Sequence, residues 1–229
     1  MKIEIWSDIV CPFCYIGKRK FETALNDFDQ KEKVEVIWRS FQLDPDLKQI
    51  PGQSVDEYLG KRKGTTTEKG KEMNAYMAGI AKEVGLVYNF DKAIINNTMN
   101  AHRLSHLALQ HGLQNETEEV LFAAYYTHGK DIGDIETLKE IGIAVGLNED
   151  EIQKMYNTDA FIEAVHTDQY ESQQIGVNGV PFFLINNKYA VSGAQPSSVF
   201  KELLEKAWEE EKVVATMPTG FCSEDGVCN

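Results

Sequence analysis

The sequence predicts an α/β fold, a small mixed sheet whose two halves are separated in the chain by a long helical block. Three observations predict it. A strand–helix–strand pattern opens the chain, a proline-free stretch punctuated by glycines and capping residues fills the middle, and a β-hairpin with an amphipathic helix closes it.

The first strand, Lys2 to Ser7, alternates Ile3 and Ile5 with Lys2 and Glu4, the period-two pattern of a half-buried strand. It runs directly into Cys11-Pro12-Phe13-Cys14. Pro12 suits the first turn of a helix, where its missing N–H has no bond to lose. Ile16, Phe21, Leu25 and Phe28 follow at roughly helical spacing. Val34 to Leu43 is β-branched and aromatic, a second strand, and Asp44-Pro45-Asp46 ends it.

From about Ser54 to Ile175 the pattern is helical. Ser54-x-x-Glu57, Asn115-x-x-Glu118 and Asn148-x-x-Glu151 have capping-box spacing. Gly85, Gly112, Gly129, Gly146 and Gly176 each follow a helical run, where a terminating residue takes positive φ. Six or seven short helices fit between these marks. Strand character returns at Pro181 to Asn186, Asn186-Asn187 is a turn signal, and Lys188 to Ser192 completes a hairpin. A last helix carries Val199, Phe200, Leu203, Leu204, Ala207 and Trp208, and after Ala215 the tail is polar.

The chain has 229 residues, 42% hydrophobic and 26% charged, enough to bury a core without disulfide staples. A formal net charge of −13 argues against nucleic acid as a partner, because no basic stripe exists to displace counterions from phosphates. Lys18-Arg19-Lys20 and Lys61-Arg62-Lys63 read as solvated helix faces. No apolar run approaches the ~20 residues that span a bilayer, so no membrane partner is expected. The first residues already read as a strand and not as a signal peptide, and a cytoplasmic location is the expectation.

Four cysteines form two pairs, Cys11/Cys14 and Cys222/Cys228. Close pairs in a reducing compartment are more often redox-active or metal-binding than structural. A Cys-x-x-Cys that opens a helix after a strand places Cys11 at the helix N-terminus, where free N–H groups and the macrodipole favour a thiolate. Cys11 is the expected nucleophile and Cys14, one turn later, the resolving thiol. A four-cysteine zinc site is the alternative, disfavoured by the long Cys222-x5-Cys228 spacer; no metal is expected. Val180-Pro181 heads the third strand, where a proline loses no ladder hydrogen bond.

Taken together, Trp6-Ser7-Asp8-Ile9-Val10-Cys11-Pro12-Phe13-Cys14, Asn97-Thr98-Met99-Asn100-Ala101-His102-Arg103-Leu104 and Gly176-Val177-Asn178-Gly179-Val180-Pro181-Phe182-Phe183 resemble the DsbA-like branch of the thioredoxin superfamily, and within it the FrnE-like group. The resemblance spans nearly the whole chain. It implies a thioredoxin-fold core from residues 1–43 plus 176–215, a large α-helical insertion domain at 54–175, and a tail, 216–229, with the second cysteine pair. It implies a cis bond at Val180–Pro181 and dithiol–disulfide exchange at Cys11/Cys14 with protein or low-molecular-weight thiols. No cofactor is implied, and glutathione is the candidate redox partner or co-substrate. The active-site dipeptide Pro12-Phe13 departs from the Pro-His of the strongly oxidising periplasmic members, so the direction of exchange does not carry over. Cys222 and Cys228 fit a theme of extra C-terminal cysteines, as a relay to Cys11/Cys14 or as bystanders.

Other residues are weighed beside these. Glu4 in the first strand is a candidate proton acceptor for Cys14, although its alternation with Ile3 and Ile5 favours an outward-facing side chain. Asn97, His102 and Arg103 match a family segment that faces the active-site groove; otherwise Asn97 caps a helix and Arg103 is solvated. His102 and His106 share a helix face without a third metal ligand. Phe122, Tyr125 and Tyr126 read as core. The competing functions are a glutathione-dependent isomerase or transferase, of the kappa or 2-hydroxychromene-2-carboxylate isomerase type, and a non-catalytic redox sensor or chaperone.

Overall fold

A computed structural model describes residues 1–50 and 52–216, with side chains described to residue 212; Cys222 and Cys228 lie outside the described residues. Its four strands are β1 (Lys2–Ser7), β2 (Glu35–Ser40), β3 (Phe182–Ile185) and β4 (Tyr189–Ser192), in spatial order β2-β1-β3-β4. β1 pairs in parallel with β2, Ile5 opposite Trp38, and antiparallel with β3, Ile5 opposite Phe183. β3 and β4 form the expected hairpin. Asn186 (φ 49°) and Asn187 (φ 53°) make its turn, both with the positive φ that matches the strands' twist.

Helix α1 (Pro12–Asn26) crosses from β1 to β2. Seven helices then intervene before β3: α2 (Val55–Arg62), α3 (Thr67–Glu83), α4 (Met99–Gln110), α5 (Gln114–Tyr126), α6 (Ile135–Ala144), α7 (Glu149–Tyr156) and α8 (Ile162–Gln174). α9 (Ser197–Thr216) follows the hairpin. Ser54 and Asn148 cap α2 and α7 as the spacing predicts, accepting from the N–H of Glu57 and Glu151. Asn115 does not cap. α5 begins two residues earlier than that cap would place it, with Leu113 at its N-cap, because Gln114 docks on the edge of β2, its amide accepting from the Trp38 N–H and donating to the Trp38 carbonyl, both at 2.9 Å. Thr66 and Asp134, unforeseen, cap α3 and α6.

The sheet is covered on both faces. Phe183 of β3 meets Phe21 of α1 (5.5 Å between centroids) and Phe200 of α9 (4.7 Å). On the other face, the Trp6 indole donates to the Asp168 carbonyl of α8 at 2.9 Å. β1 is therefore central and buried on both sides, and this corrects the expectation for Glu4, which is buried and not outward-facing. The Arg39 guanidinium of β2 binds Glu4 (Nε to Oε1, 2.8 Å) and Asp168 (Nη1 to Oδ1, 2.9 Å), joining β1, β2 and α8.

Lys18 is likewise not on a solvated face. It is 1% exposed, paired with Glu22 and, at 2.9 Å, with Glu119 of α5. Arg19 and the Tyr15 hydroxyl bind the same Glu119. Arg62 of the second basic cluster lies against Asp44 (2.9 Å) and Tyr58 (2.8 Å). Phe122, Tyr125 and Tyr126 are buried as expected.

Candidate active site

The turn after β1 delivers Cys11 to the start of α1. The Cys11 N–H donates to the Asp8 carbonyl at 3.0 Å, and Cys11, with extended φ/ψ of −87°/112°, is the N-cap residue, followed by Pro12. Cys14 lies one turn into the helix, fully buried, and Cys11 is nearly so. Both are free thiols.

Opposite Cys11 is the loop that enters β3. The Val180–Pro181 peptide bond is cis, and the Cys11 thiol contacts the Val180 carbonyl oxygen at 3.4 Å. Gly17 of α1 makes this approach sterically feasible, since a Cβ there would stand 2.8 Å from Pro181 Cγ. The N–H of Gly193 holds the loop from the other side by donating to the Pro181 carbonyl at 2.8 Å.

The two thiols sit in unequal surroundings. Burial pushes the Cys14 thiol well up, and the neighbouring Cys11 pushes it further; the Ser7 hydroxyl and the Asp8 backbone N–H act weakly in the opposite direction. Tyr88 braces the active-site turn, its hydroxyl donating to the Pro12 carbonyl at 2.7 Å. Its ring stacks on Tyr126 at 4.1 Å.

Asp8 closes the site from behind. It is 1% exposed; Oδ2 accepts from the Leu43 N–H at 2.8 Å, while Oδ1 has no hydrogen-bond donor and faces His102 Nε2 at 3.5 Å. Sequence reasoning missed Asp8 and Tyr88. Asp8 sits in the segment before Cys11 that carries the resemblance, the one signal that pointed near it; Tyr88 carries no local signal.

The remaining candidates are distributed as follows. His102 is buried against Asp8. His106 faces Asp168 instead, at 3.0 Å, so the two histidines do not converge. Asn97 serves the backbone, accepting from the Met99 N–H (2.9 Å) and donating to the Pro45 carbonyl (2.8 Å). Arg103 is neither solvated nor turned to the groove. It is 5% exposed and donates to the carbonyls of Met155, Thr158 and Ala160, which terminate α7 and lead into α8. Glu4 is held in an ion-paired setting. Burial alone raises its carboxyl, but hydrogen bonds from Arg39 and Lys2 override this and hold it below the usual range, as a carboxylate with little affinity for a proton. Among the described residues, no group of three or more His, Cys, Asp or Glu side chains is placed to hold a metal ion, and no helix is long and apolar enough to cross a membrane.

Cys11, Pro12, Phe13 and Val180 form one wall of a cavity of about 540 Å³ that extends between the loop after β2 and helices α2 and α3. Its size is in the range of small-molecule sites.

Comparison with known proteins agrees with this geometry. The chain is 34% identical to a probable DsbA oxidoreductase from Streptomyces coelicolor, covering 100% of this chain and 98% of that one with a TM-score of 0.86. It is 26% identical to the uncharacterized protein YwbO of Bacillus subtilis (strain 168), over 92% of this chain and 96% of that protein. It shares the fold of the cytosolic disulfide reductase DsbM from Pseudomonas aeruginosa, at 15% identity, 91% and 100% coverage and a TM-score of 0.63. Residues 2–205 match the DSBA-like thioredoxin domain, and the chain belongs to that family.

Proposed function

We propose that the protein is a thiol–disulfide oxidoreductase working through Cys11 and Cys14. The observation that carries this reading is the position of Cys11 at the N-cap of α1, 3.4 Å from the Val180 carbonyl, with Cys14 buried one turn behind it. In the reductive direction the Cys11 thiolate attacks one sulfur of a substrate disulfide. A Cys11–substrate disulfide forms and the other substrate sulfur leaves as a thiolate. Cys14 then gives up its proton and attacks the Cys11 sulfur, breaking the mixed disulfide and releasing the second substrate thiolate. Two electrons have passed from the dithiol to the substrate, and the protons of the two cysteines balance the two product thiols. Two molecules of a low-molecular-weight thiol such as glutathione restore the dithiol and leave joined as their disulfide; in the oxidative direction every step reverses.

The partners in this reading are protein or low-molecular-weight thiols and disulfides. A cytoplasmic setting is part of this reading. The test is equilibration in glutathione buffers of graded potential, acid trapping, alkylation and disulfide mapping by mass spectrometry. A reversible Cys11–Cys14 couple is expected, and its midpoint gives the direction of net transfer. If the two cysteines never join across the range, the reading fails. The same mapping reports whether Cys222 and Cys228 exchange with the pair.

A further inference from the structure

We infer that the cavity beside Cys11 binds the body of a low-molecular-weight thiol or disulfide that is apolar along its length and anionic at its far end. This rests on the thiol chemistry proposed above and specifies its substrate. Cys11 is part of the cavity wall, so a molecule filling the cavity brings a sulfur at its inner end to the nucleophile. Leu43, Leu47, Val55, Leu59, Met73 and Met77 form much of the remaining wall, and methionines adapt to irregular apolar ligands.

Two aromatic side chains of the same cavity, Phe13 and Tyr76, are left 45% and 70% exposed, apolar surface that a bound ligand would cover. Polar features are few. Asp8 lines the cavity, but its Oδ1 is buried and turned to His102; the Tyr125 hydroxyl, with no hydrogen-bond partner among the described residues, is a polar group left for a ligand hydroxyl or amide N–H. Two cations line the cavity, and Arg62 is engaged by Asp44. Lys63 is exposed and has no ion-pair partner among the described residues, so it is the group that can meet an anion.

This lining selects against two other occupants. A polypeptide entering the cavity would desolvate most of its amides against walls that are largely apolar, with too few free polar groups to pair them all. Glutathione, polar throughout with two carboxylates and an ammonium, would strand at least one charged group on apolar surface.

The test uses the full chain and a chemically inert probe, 4-[(methylthio)methyl]benzoate, which carries a thioether sulfur at one end, an aryl body and a carboxylate at the other end. Isothermal titration calorimetry is expected to show saturable one-to-one binding, with S-methylglutathione weaker by about tenfold or more. Leu59→Trp, which fills the cavity, is expected to weaken the probe by at least about tenfold, and Lys63→Glu by about three- to tenfold. Circular dichroism checks the fold; if Leu59→Trp does not fold, Leu47→Trp, on a loop, replaces it. The inference is overturned if the probe does not bind at millimolar concentration, if its affinity ignores the filling variant, or if S-methylglutathione or an apolar decapeptide binds more tightly. A Cys11–Cys14 couple that titrates while the probe fails removes this inference alone. Probe binding without any such couple removes the assignment of a sulfur substrate.

Discussion

Replacing Arg39 by methionine keeps its apolar stem and deletes the charge on which two buried carboxylates converge. Glu4 and Asp168 have side chains 7% and 1% exposed, and Arg39 itself is 22% exposed. Removing one partner of a buried ion pair costs about 3–5 kcal/mol, because the remaining charge is stranded. Here the stranding is partial. Glu4 keeps Lys2 at 3.0 Å, and Asp168 keeps His106 at 3.0 Å and the Ser40 N–H at 2.8 Å. The lower end, about 3 kcal/mol at pH 7, is therefore expected. With a urea slope near 3 kcal/mol/M for a chain of this size, the midpoint falls by about 1 M.

The pH dependence gives a second readout. Burial works to raise both carboxyls, yet their partners hold Glu4 and Asp168 below ordinary values of 4.5 and 3.8. Groups lowered on folding contribute stability that is present above those ordinary values and drains away as pH falls through the lowered ones. The deficit of Arg39→Met is thus largest at neutral pH and shrinks toward pH 3. Urea unfolding across this range checks it. A loss under about 1 kcal/mol at pH 7, or one of equal size at pH 7 and pH 3.5, refutes the reasoning.

Other variants probe the site and its supports. Tyr88→Phe removes the hydroxyl that donates to the Pro12 carbonyl, and a loss of about 1 kcal/mol in chemical denaturation is expected; an unchanged midpoint would show that the brace contributes nothing. Gly70→Ala puts a Cβ 2.1 Å from the Asp56 carbonyl oxygen, where α3 crosses α2. Overpacking of about 1–3 kcal/mol outweighs the roughly 1 kcal/mol gain in helix propensity, so a raised melting temperature would contradict the packing. At Glu119, burial alone would raise the carboxyl, but Arg19, Lys18 and Tyr15 hold it at about 2. Its contribution is present above pH 4.5 and lost as pH falls toward 2. Its side chain is 32% exposed, so screening reduces the worth of the shift to about 1 kcal/mol. Glu119→Gln should show that deficit at pH 7 and almost none at pH 2.5.

What was legible in the sequence was local. The strands, the Asn186-Asn187 turn and the caps at Ser54 and Asn148 are each decided by a few neighbouring residues, and the structure has them. The cysteines were legible as a pair at a strand–helix junction. The misreadings share one cause, a partner distant in sequence. Lys18 and Arg19 looked solvated because their main counter-charge, Glu119, arrives from α5. Glu4 looked outward-facing because alternation marks one wet face, whereas β1 is covered on both. Arg103 looked solvated because the carbonyls it binds belong to the end of α7 and the start of the next turn. Asp8 acquires its setting only when α4 brings His102 and the loop after β2 brings the Leu43 N–H.

The unequal placement of the two sulfurs orders the proposed exchange. Cys11 touches both the Val180 carbonyl and the cavity, so an incoming disulfide meets it first. Cys14 has no exposed surface, and Cys11 is the one cysteine beside it. Burial is the main influence raising its thiol, and Cys11 adds to it through both contact and charge. A Cys11 sulfur in a mixed disulfide carries no charge, so the part of the penalty on the Cys14 thiolate that a Cys11 thiolate would impose is absent from the intermediate. Formation of the intermediate therefore lowers the barrier to its own resolution, while before substrate arrives Cys14 is held as a thiol. The burial that makes Cys14 inert toward outside partners is the same feature that confines its thiolate to the one sulfur it must attack.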